Sequence, residues 1–497
     1  MNGPSPRLVT TRTMTTATAA LPISAGDDRH ILWVPALLIA LFASLTLFPR
    51  IAGSTELSAV FADITAILAA LYGIVVTLVL SGRRTPRFSV LLRPSHYVQA
   101  MVHSSIFIYW GWYWHPVYEE FVLIVSQIVF VYVLEALIAW LRGKDWQLGF
   151  GAFPIIFSTN LFLWFKDDWY AWQFVMVAVG VLGKQFVTWR RDGRPAHIFN
   201  PSALSLFIAS TILIFTRHTG VSWGNDIANT LNYPEHIYLW IFLVGLIVQH
   251  LFGVTLVTVS AAISLLLLGA VWYAATGVYF FFTSDIPIAV FLGMHLLVTD
   301  PATSPRTDVG KVIFGALYGA SVMALFWLLD VTNVPPFYDK LLPVPFLNLS
   351  VRMLDRVARG HPLASLSEWL VGYAPKQRNA AYMGVWMAVF AGLLSTHHLG
   401  AMHPGRSFAF WEQACKRGLR NGCRNLHDLT DAECLNGQPL ACAKMAVMYR
   451  DGTGVEANER RAYRYILRAC SLGYKEACDR IDQFIPPPDI SLFPGKG

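Results

Sequence analysis

Charge is scarce in this sequence. Asp, Glu, Lys and Arg make up 14% of its 497 residues, where soluble domains carry about 25%. Hydrophobic residues supply 55%, gathered into apolar runs of spanning length between short polar loops. The chain is therefore read as an integral membrane protein. There is no dinucleotide-binding fingerprint, phosphate-binding loop or nucleophile constellation, so no self-contained active site is apparent and enzyme status stays open. A compact signal-peptide layout is also missing. Residues 1–30 are rich in Thr, Ala and Pro with scattered Arg and read as a flexible cytoplasmic tail. No cysteine occurs before residue 415, which divides the chain into two compositional parts.

The charge that is present has a pattern. A net charge of +7 could suggest nucleic acid, but the basic residues flank the apolar runs: Arg83-Arg84, Arg142 with Lys144, Arg190-Arg191 with Arg194, Arg306 with Lys311. That is the signature of cytoplasmic loops and argues against nucleic-acid binding. Apolar spans are expected near 31–48, 59–81, 97–114, 117–141, 147–165, 169–188, 199–216, 236–252, 254–273, 284–299, 311–329 and 380–396. A weaker span near 336–355 precedes a basic stretch holding Arg356, Arg359, Lys376 and Arg378. Counting it gives about 13 spans, with the N-terminus in the cytoplasm and the C-terminal part outside. The expected fold class is all-α, a polytopic membrane helix bundle followed by a small α-solenoid.

The cysteines point to the same topology. They form three pairs with the same spacing, Cys415/Cys423, Cys434/Cys442 and Cys470/Cys478, and a glycine follows each first cysteine by three residues: Gly418, Gly437, Gly473. Glycine suits the left-handed position that ends a helix, so each pair reads as a stapled helical hairpin. Three like pairs without C-x2-C spacing fit disulfides better than the zinc alternative, and disulfides imply an oxidising compartment. The stretch "ACAKMAVMYRDGTGVEANERRAYRYILRACSLGYKEACDRI" resembles Sel1-like repeats of the cysteine-rich bacterial type, over about residues 405–482. The resemblance implies a helical-hairpin solenoid for protein interaction. The plainer alternative is a stabilising cap with no partner.

Within the membrane part, Glu135-Ala136-Leu137 lies inside a span. Gly183, Lys184 and Phe186 follow, then Asn200-Pro201-Ser202-Ala203, Thr299-Asp300-Pro301 with Thr303, and Thr307, Gly310, Lys311, Ile313, Phe314 and Gly315. In order and spacing, over roughly residues 95–360, this set resembles the RnfD/NqrB family. These are flavin-carrying membrane subunits of the Rnf electron-transport complex and the sodium-pumping NADH:quinone oxidoreductase. The resemblance implies a core of ten helices in two inverted halves, here about 97–216 and 236–355. It divides the chain into a tail (1–30), two additional helices (31–94), the core (95–360), a linker with a final span (361–400), the repeat domain (401–482) and a Pro-rich tail (483–497).

The sequence departs from the family in three places. The Ser-x-Ala-Thr type motif for covalent FMN is missing, so covalent attachment is not expected. His197 stands where the family has Asn, and "WRRDGRPA" replaces a glycine-pair loop. Some members hold a noncovalent flavin (FMN or riboflavin) near this loop. By that resemblance His197, Asn200, Pro201 and Lys184 are the candidate flavin-binding residues, with no metal site expected. The residues themselves also allow a plain reading, in which Asn200-Pro201 caps a helix. Glu135 and Asp63 lie inside spans, where carboxylates are costly to maintain, and Glu135 is a candidate for an ion or proton pathway or a partner to a helix dipole. Asp300 is a second pathway candidate, since Asp300-Pro301 could help bind a cation with neighbouring carbonyls, or merely cap or turn. Three histidines within spans, His103, His250 and His295, are weak evidence for haem. The glycines of Gly315-x-x-x-Gly319 read as a close-packing face.

Two further functions compete with flavin-linked electron transfer in the cytoplasmic membrane, next to other redox subunits or an extracytoplasmic protein. One is a transporter or channel on the same scaffold; the other is an anchor for the repeat domain. The sequence names no electron donor, acceptor, transported ion or partner subunit.

Overall fold

A computed structural model of the chain describes residues 28–191, 193–360, 373–400, 402–419 and 421–484. Nearly all of the expected N-terminal tail, residues 361–372 of the linker and the Pro-rich tail from 485 onward lie outside the described residues. The chain forms two compact units: Met1–Phe186 with Gly220–Trp223, and Val187–Thr219 with Gly224–Gly497.

The first unit contains six principal helices: α1 Trp33–Ser44, α2 Thr55–Leu80, α3 Pro94–Tyr113, α4 Phe121–Leu141, α5 Phe153–Asn160 and α6 Ala171–Phe186. Strand β1, Phe88–Val90, pairs in parallel with β2, Trp146–Leu148. Phe42 of α1 stacks on Phe61 of α2 at 5.0 Å, and both meet Phe174 of α6 edge-on. These buried rings fasten the two N-terminal helices to the rest of the unit. Arg50 adds a charged clamp, bonding Glu120 at 2.7 Å and Asp167 at 2.6 Å.

In the second unit a hairpin of β3, Thr188–Arg191, and β4, Arg194–His197, comes first. Then follow α7 Pro201–Phe215, α8 Ile237–Phe252, α9 Thr255–Thr276, α10 Ile288–Leu296, α11 Asp308–Val331, α12 Pro343–Arg359 and α13 Pro375–Ser395. The repeat part adds α14 Phe408–Lys416, α15 Gly422–Leu435, α16 Pro439–Asp451 and α17 Glu459–Ser471.

The chain is mostly helical, and among the described residues five helical segments are long and apolar enough to cross a membrane: His30–Leu47, Thr55–Leu80, Pro116–Leu141, Thr255–Thr276 and Asp308–Val331. Two further apolar helices, Pro201–Phe215 and Ile237–Phe252, are shorter. Two expectations need correction. The apolar runs 147–165 and 284–299 are not single spanning helices, because each holds only a short one, α5 and α10. Both carry a Pro-Ile pair at their start, Pro154-Ile155 in the first turn of α5 and Pro287-Ile288 at the N-cap of α10, and both reach an aspartate thirteen residues past the proline (154 to 167, 287 to 300). Nor is the basic stretch 189–198 a plain loop. Gly193 adopts φ +74°, which suits the tight turn of a hairpin.

A helix that stops early exposes carbonyl groups that need partners. At the end of α5 the backbone N–H groups of the following turn bond the Phe157 and Thr159 carbonyls, and the Asn160 side chain, held by the buried amides of Gln127 and Gln173, adds a bond to that of Ile156. Asn160 Nδ2 donates to Gln127 Oε1 at 2.7 Å and to the Ile156 carbonyl at 2.8 Å, and Gln173 Nε2 donates to Asn160 Oδ1 at 3.1 Å. The extended chain beyond is held by Phe165 N donating to Gln173 Oε1 at 3.1 Å.

Between α9 and α11 the backbones approach closely, as the spacing of Gly315 and Gly319 suggests. A Cβ on Gly315 would lie 2.2 Å from the Val257 carbonyl oxygen, and one on Gly319 2.7 Å from that of Ala261. Both obstacles are backbone atoms and cannot rotate away. Gly315→Val is therefore expected to lower stability in detergent by about 1–3 kcal/mol through overpacking, read by thermal unfolding. Gly269→Ala in α9 meets nothing within 4 Å and is expected to be neutral or stabilising.

Candidate functional site

The polar centre of the second unit forms where β4 leads into α7. Asn200 is the N-cap of α7, with Oδ1 accepting from Ser202 N at 3.0 Å and Ala203 N at 3.2 Å. Pro201 occupies the first helical turn, where its missing N–H is not needed. The other half of the Asn200 amide reaches the end of α10: Nδ2 donates to the Leu297 carbonyl at 2.8 Å. Asn200 N donates to Asn348 Oδ1 on α12 at 3.0 Å, and Asn348 Nδ2 donates to the Thr303 carbonyl at 3.2 Å. Two buried asparagines thus tie α7, α12 and the loop after α10 into one knot.

Asp300 faces this knot from the loop. Its Oδ2 lies 2.9 Å from His197 Nε2 and accepts from Thr303 Oγ1 at 3.1 Å, while Oδ1 accepts from Ala302 N at 3.1 Å. Burial pushes the Asp300 carboxyl up, but the bond to His197 and the Ala302 and Thr303 donors outweigh it and hold the group below its ordinary range. The His197 and Asp300 side chains are each 20% exposed, so the pair borders solvent.

A second layer backs the loop. Arg191 donates to the Ala302 carbonyl at 2.8 Å and the Ser304 carbonyl at 2.9 Å, and lies 3.3 Å from Asp355 Oδ2. Asp355 Oδ1 accepts from Arg306 N, Thr307 N and Thr307 Oγ1 at 2.9, 3.0 and 2.9 Å. Thr307 in turn caps α11 through Gly310 N at 3.2 Å. Asn348, Asp355 and Arg191 were not singled out from the sequence as site residues. A signal existed for two of them: Asn348 and Asp355 are seven residues apart on an otherwise amphipathic helix and share its buried face.

The sequence candidates regroup accordingly. His197, expected beside a flavin, and Asp300, expected on an ion pathway, are one pair. Asn200 and Pro201 sit at the same helix mouth. Lys184 belongs to the first unit, where its Nζ donates to the Gly151 carbonyl at 3.3 Å. Glu135 of α4 is in that unit as well. The span histidines have protein partners at both ring nitrogens in two cases. His103 bonds the Gln99 carbonyl and Ser158 at 2.7 and 3.0 Å. His295 bonds the Phe291 carbonyl and the Trp386 indole at 2.7 and 3.3 Å. Neither leaves a lone pair for a haem iron.

Fit to a flavin can be tested on these atoms. The Asn200 amide is spent on the protein, with both its oxygen and its nitrogen bonded, so Asn200 shapes the helix mouth and has little left for a ligand edge. His197 Nδ1 carries no bond among the described residues and can accept from a ring N–H at the solvent-facing rim.

In the repeat part the three cysteine pairs are disulfides: Cys415–Cys423, Cys434–Cys442 and Cys470–Cys478. Gly418, Gly437 and Gly473 have φ of +66°, +85° and +92°, the left-handed turn that the spacing predicts. Helices α16 and α17 share a core that includes Cys442, Met445, Tyr449, Tyr463 and Ile466. Residues 439–474 match the Sel1 repeat family. No relative among curated proteins matches the chain.

The Asp300 environment has a measurable consequence. A carboxylate held below its ordinary value stabilises the fold above that value, and this contribution is lost as pH falls through the depressed one. Asp300→Asn is expected to lower the thermal midpoint of the solubilised protein near neutral pH. The gap to the unaltered protein is expected to close as pH drops below about 4. A gap that does not change with pH would show that the ionised form is not what matters.

Proposed function

We propose that this chain is a membrane electron-transfer subunit of the RnfD/NqrB type, with a Sel1 repeat domain that docks a protein partner outside the cytoplasm. One observation supports this reading above the others. Motifs that carry the resemblance meet at one polar centre from two distant regions of the chain: Asn200-Pro201 from one, and Thr299-Asp300-Pro301 with Thr303 and the neighbouring Thr307 with Gly310 from the other. His197 reaches Asp300 across 103 positions and Asn200 reaches Leu297 across 97.

In this reading a noncovalent flavin binds at the rim marked by His197. When bound it would supply electron transfer; the chain's own part is to accept a ring hydrogen at His197 Nδ1 and keep the helix mouth rigid through Asn200. Lys184 and Glu135 are assigned to the ion or proton path of the first unit. The ten-helix core, with α5 and α10 as its interrupted members, is joined by the two N-terminal helices and α13, giving about 13 spans with the N-terminus inside. The three disulfides support an oxidising, extracytoplasmic location for the repeats.

The runner-up is a transporter on the same scaffold, favoured by the interrupted helices and their aspartates, since broken helices at corresponding positions are a transporter device.

Purified protein is expected to show flavin absorption bands that weaken several-fold or vanish in His197→Ala. A colourless protein that unfolds cooperatively would reject the flavin and leave the transporter reading. For topology, a reporter enzyme active only outside the cytoplasm and fused after residue 400 is expected to be active. Activity from a cytoplasm-only reporter at the same junction would reverse the orientation.

A further inference from the structure

We propose that the concavity at the C-terminal end of α12 is a binding site for a phosphate-bearing anion. The space is about 460 Å³ and open to solvent. Arg190 and Arg191 enter it from β3, Arg306 from the loop before α11, and Arg352, Arg356 and Arg359 from α12, with Asp355 the single carboxylate among the lining residues. Positions 352, 356 and 359 are four and three residues apart, so one helix face presents all three.

The carboxylate does not neutralise the group. Both Asp355 oxygens are taken, one by two backbone N–H groups and the Thr307 hydroxyl, the other by Arg191. Arg191 is also committed, spanning two loop carbonyls. Arg352 is held in place without losing charge: its guanidinium lies 4.2 Å from the centre of the Trp189 ring and donates to the Arg190 carbonyl. Arg356 and Arg359 form no hydrogen bond or ion pair among the described residues. Like charges in one concavity repel each other, and an anion with several oxygens relieves that repulsion. Guanidinium forks match phosphate oxygens two at a time, which favours phosphate over a single carboxylate.

A basic loop needed only to orient the chain in a membrane requires none of this arrangement. It has no use for a stacked, tethered arginine or for a shared concavity. The phosphate can belong to the headgroup of an anionic lipid, which basic residues meet at the membrane surface, or to a soluble molecule. The recognition chemistry is the same, and the site does not depend on the flavin assignment.

The test uses the full chain in detergent, probed with cardiolipin, phosphatidylcholine and inorganic pyrophosphate by native mass spectrometry and titration. The double variant Arg356→Gln/Arg359→Gln removes two guanidiniums without breaking any bond among the described residues. It is expected to weaken binding of the phosphate-bearing anion about tenfold or more, with the thermal midpoint of the free protein unchanged. Arg142→Gln, a basic residue of the first unit, is expected to have no effect. Cardiolipin retained and not displaced by pyrophosphate assigns the site to a lipid headgroup, whereas pyrophosphate binding alone assigns it to a soluble anion. Either supports the proposal. Equal binding by the unaltered protein and the double variant, or no binding of either probe, overturns it.

Discussion

A helix that stops inside a packed interior needs other groups to take up its free hydrogen bonds. Much of this chain is arranged around two such stops. Helix α5 ends on a web of Gln127, Asn160 and Gln173. Helix α10 ends where Asn200 and Asn348 reach in from α7 and α12. Each stop needs side chains from neighbouring helices, so it fixes which helices are neighbours. The aspartates that follow, Asp167 and Asp300, are each met by a side chain from a distant segment, Arg50 and His197. Backbone satisfaction comes first, and these pairs are built on the breaks it permits.

The same constraint explains what the sequence disclosed and what it hid. Long apolar helices such as α2, α4, α9 and α11 were legible because length and hydropathy suffice to identify them. The repeat domain was legible through its cysteine and glycine spacing. The breaks in 147–165 and 284–299 were not, because a buried extended segment is as apolar as a helix. Its polar partners lie in other elements, as Gln127 and Asn348 do. The hairpin at 188–197 is hidden for a different reason: its arginines mark the stretch as a basic loop, and that charge signal masks the short Asp-Gly turn between the two strands.

The candidate site was half legible. Asn200 and Pro201 were correctly located at a helix mouth, and the capping geometry follows from their own chemistry. The pairing of His197 with Asp300 was not readable, because the two are 103 positions apart and had been assigned separate roles. Asp355 was hidden more completely. It stands among arginines in a basic stretch, and only the fold shows that it organises the start of α11 as well as Arg191.

The disulfides of the repeat part carry a consequence for how the domain is made. Each joins a cysteine to the next one in sequence, eight positions away. None ties one hairpin to another. Each bond can therefore close as soon as its own hairpin has entered an oxidising compartment, in chain order and without waiting for distant segments. A simple oxidase would suffice, and rearrangement by an isomerase would have no task to perform. Maturation of the domain is then local and sequential.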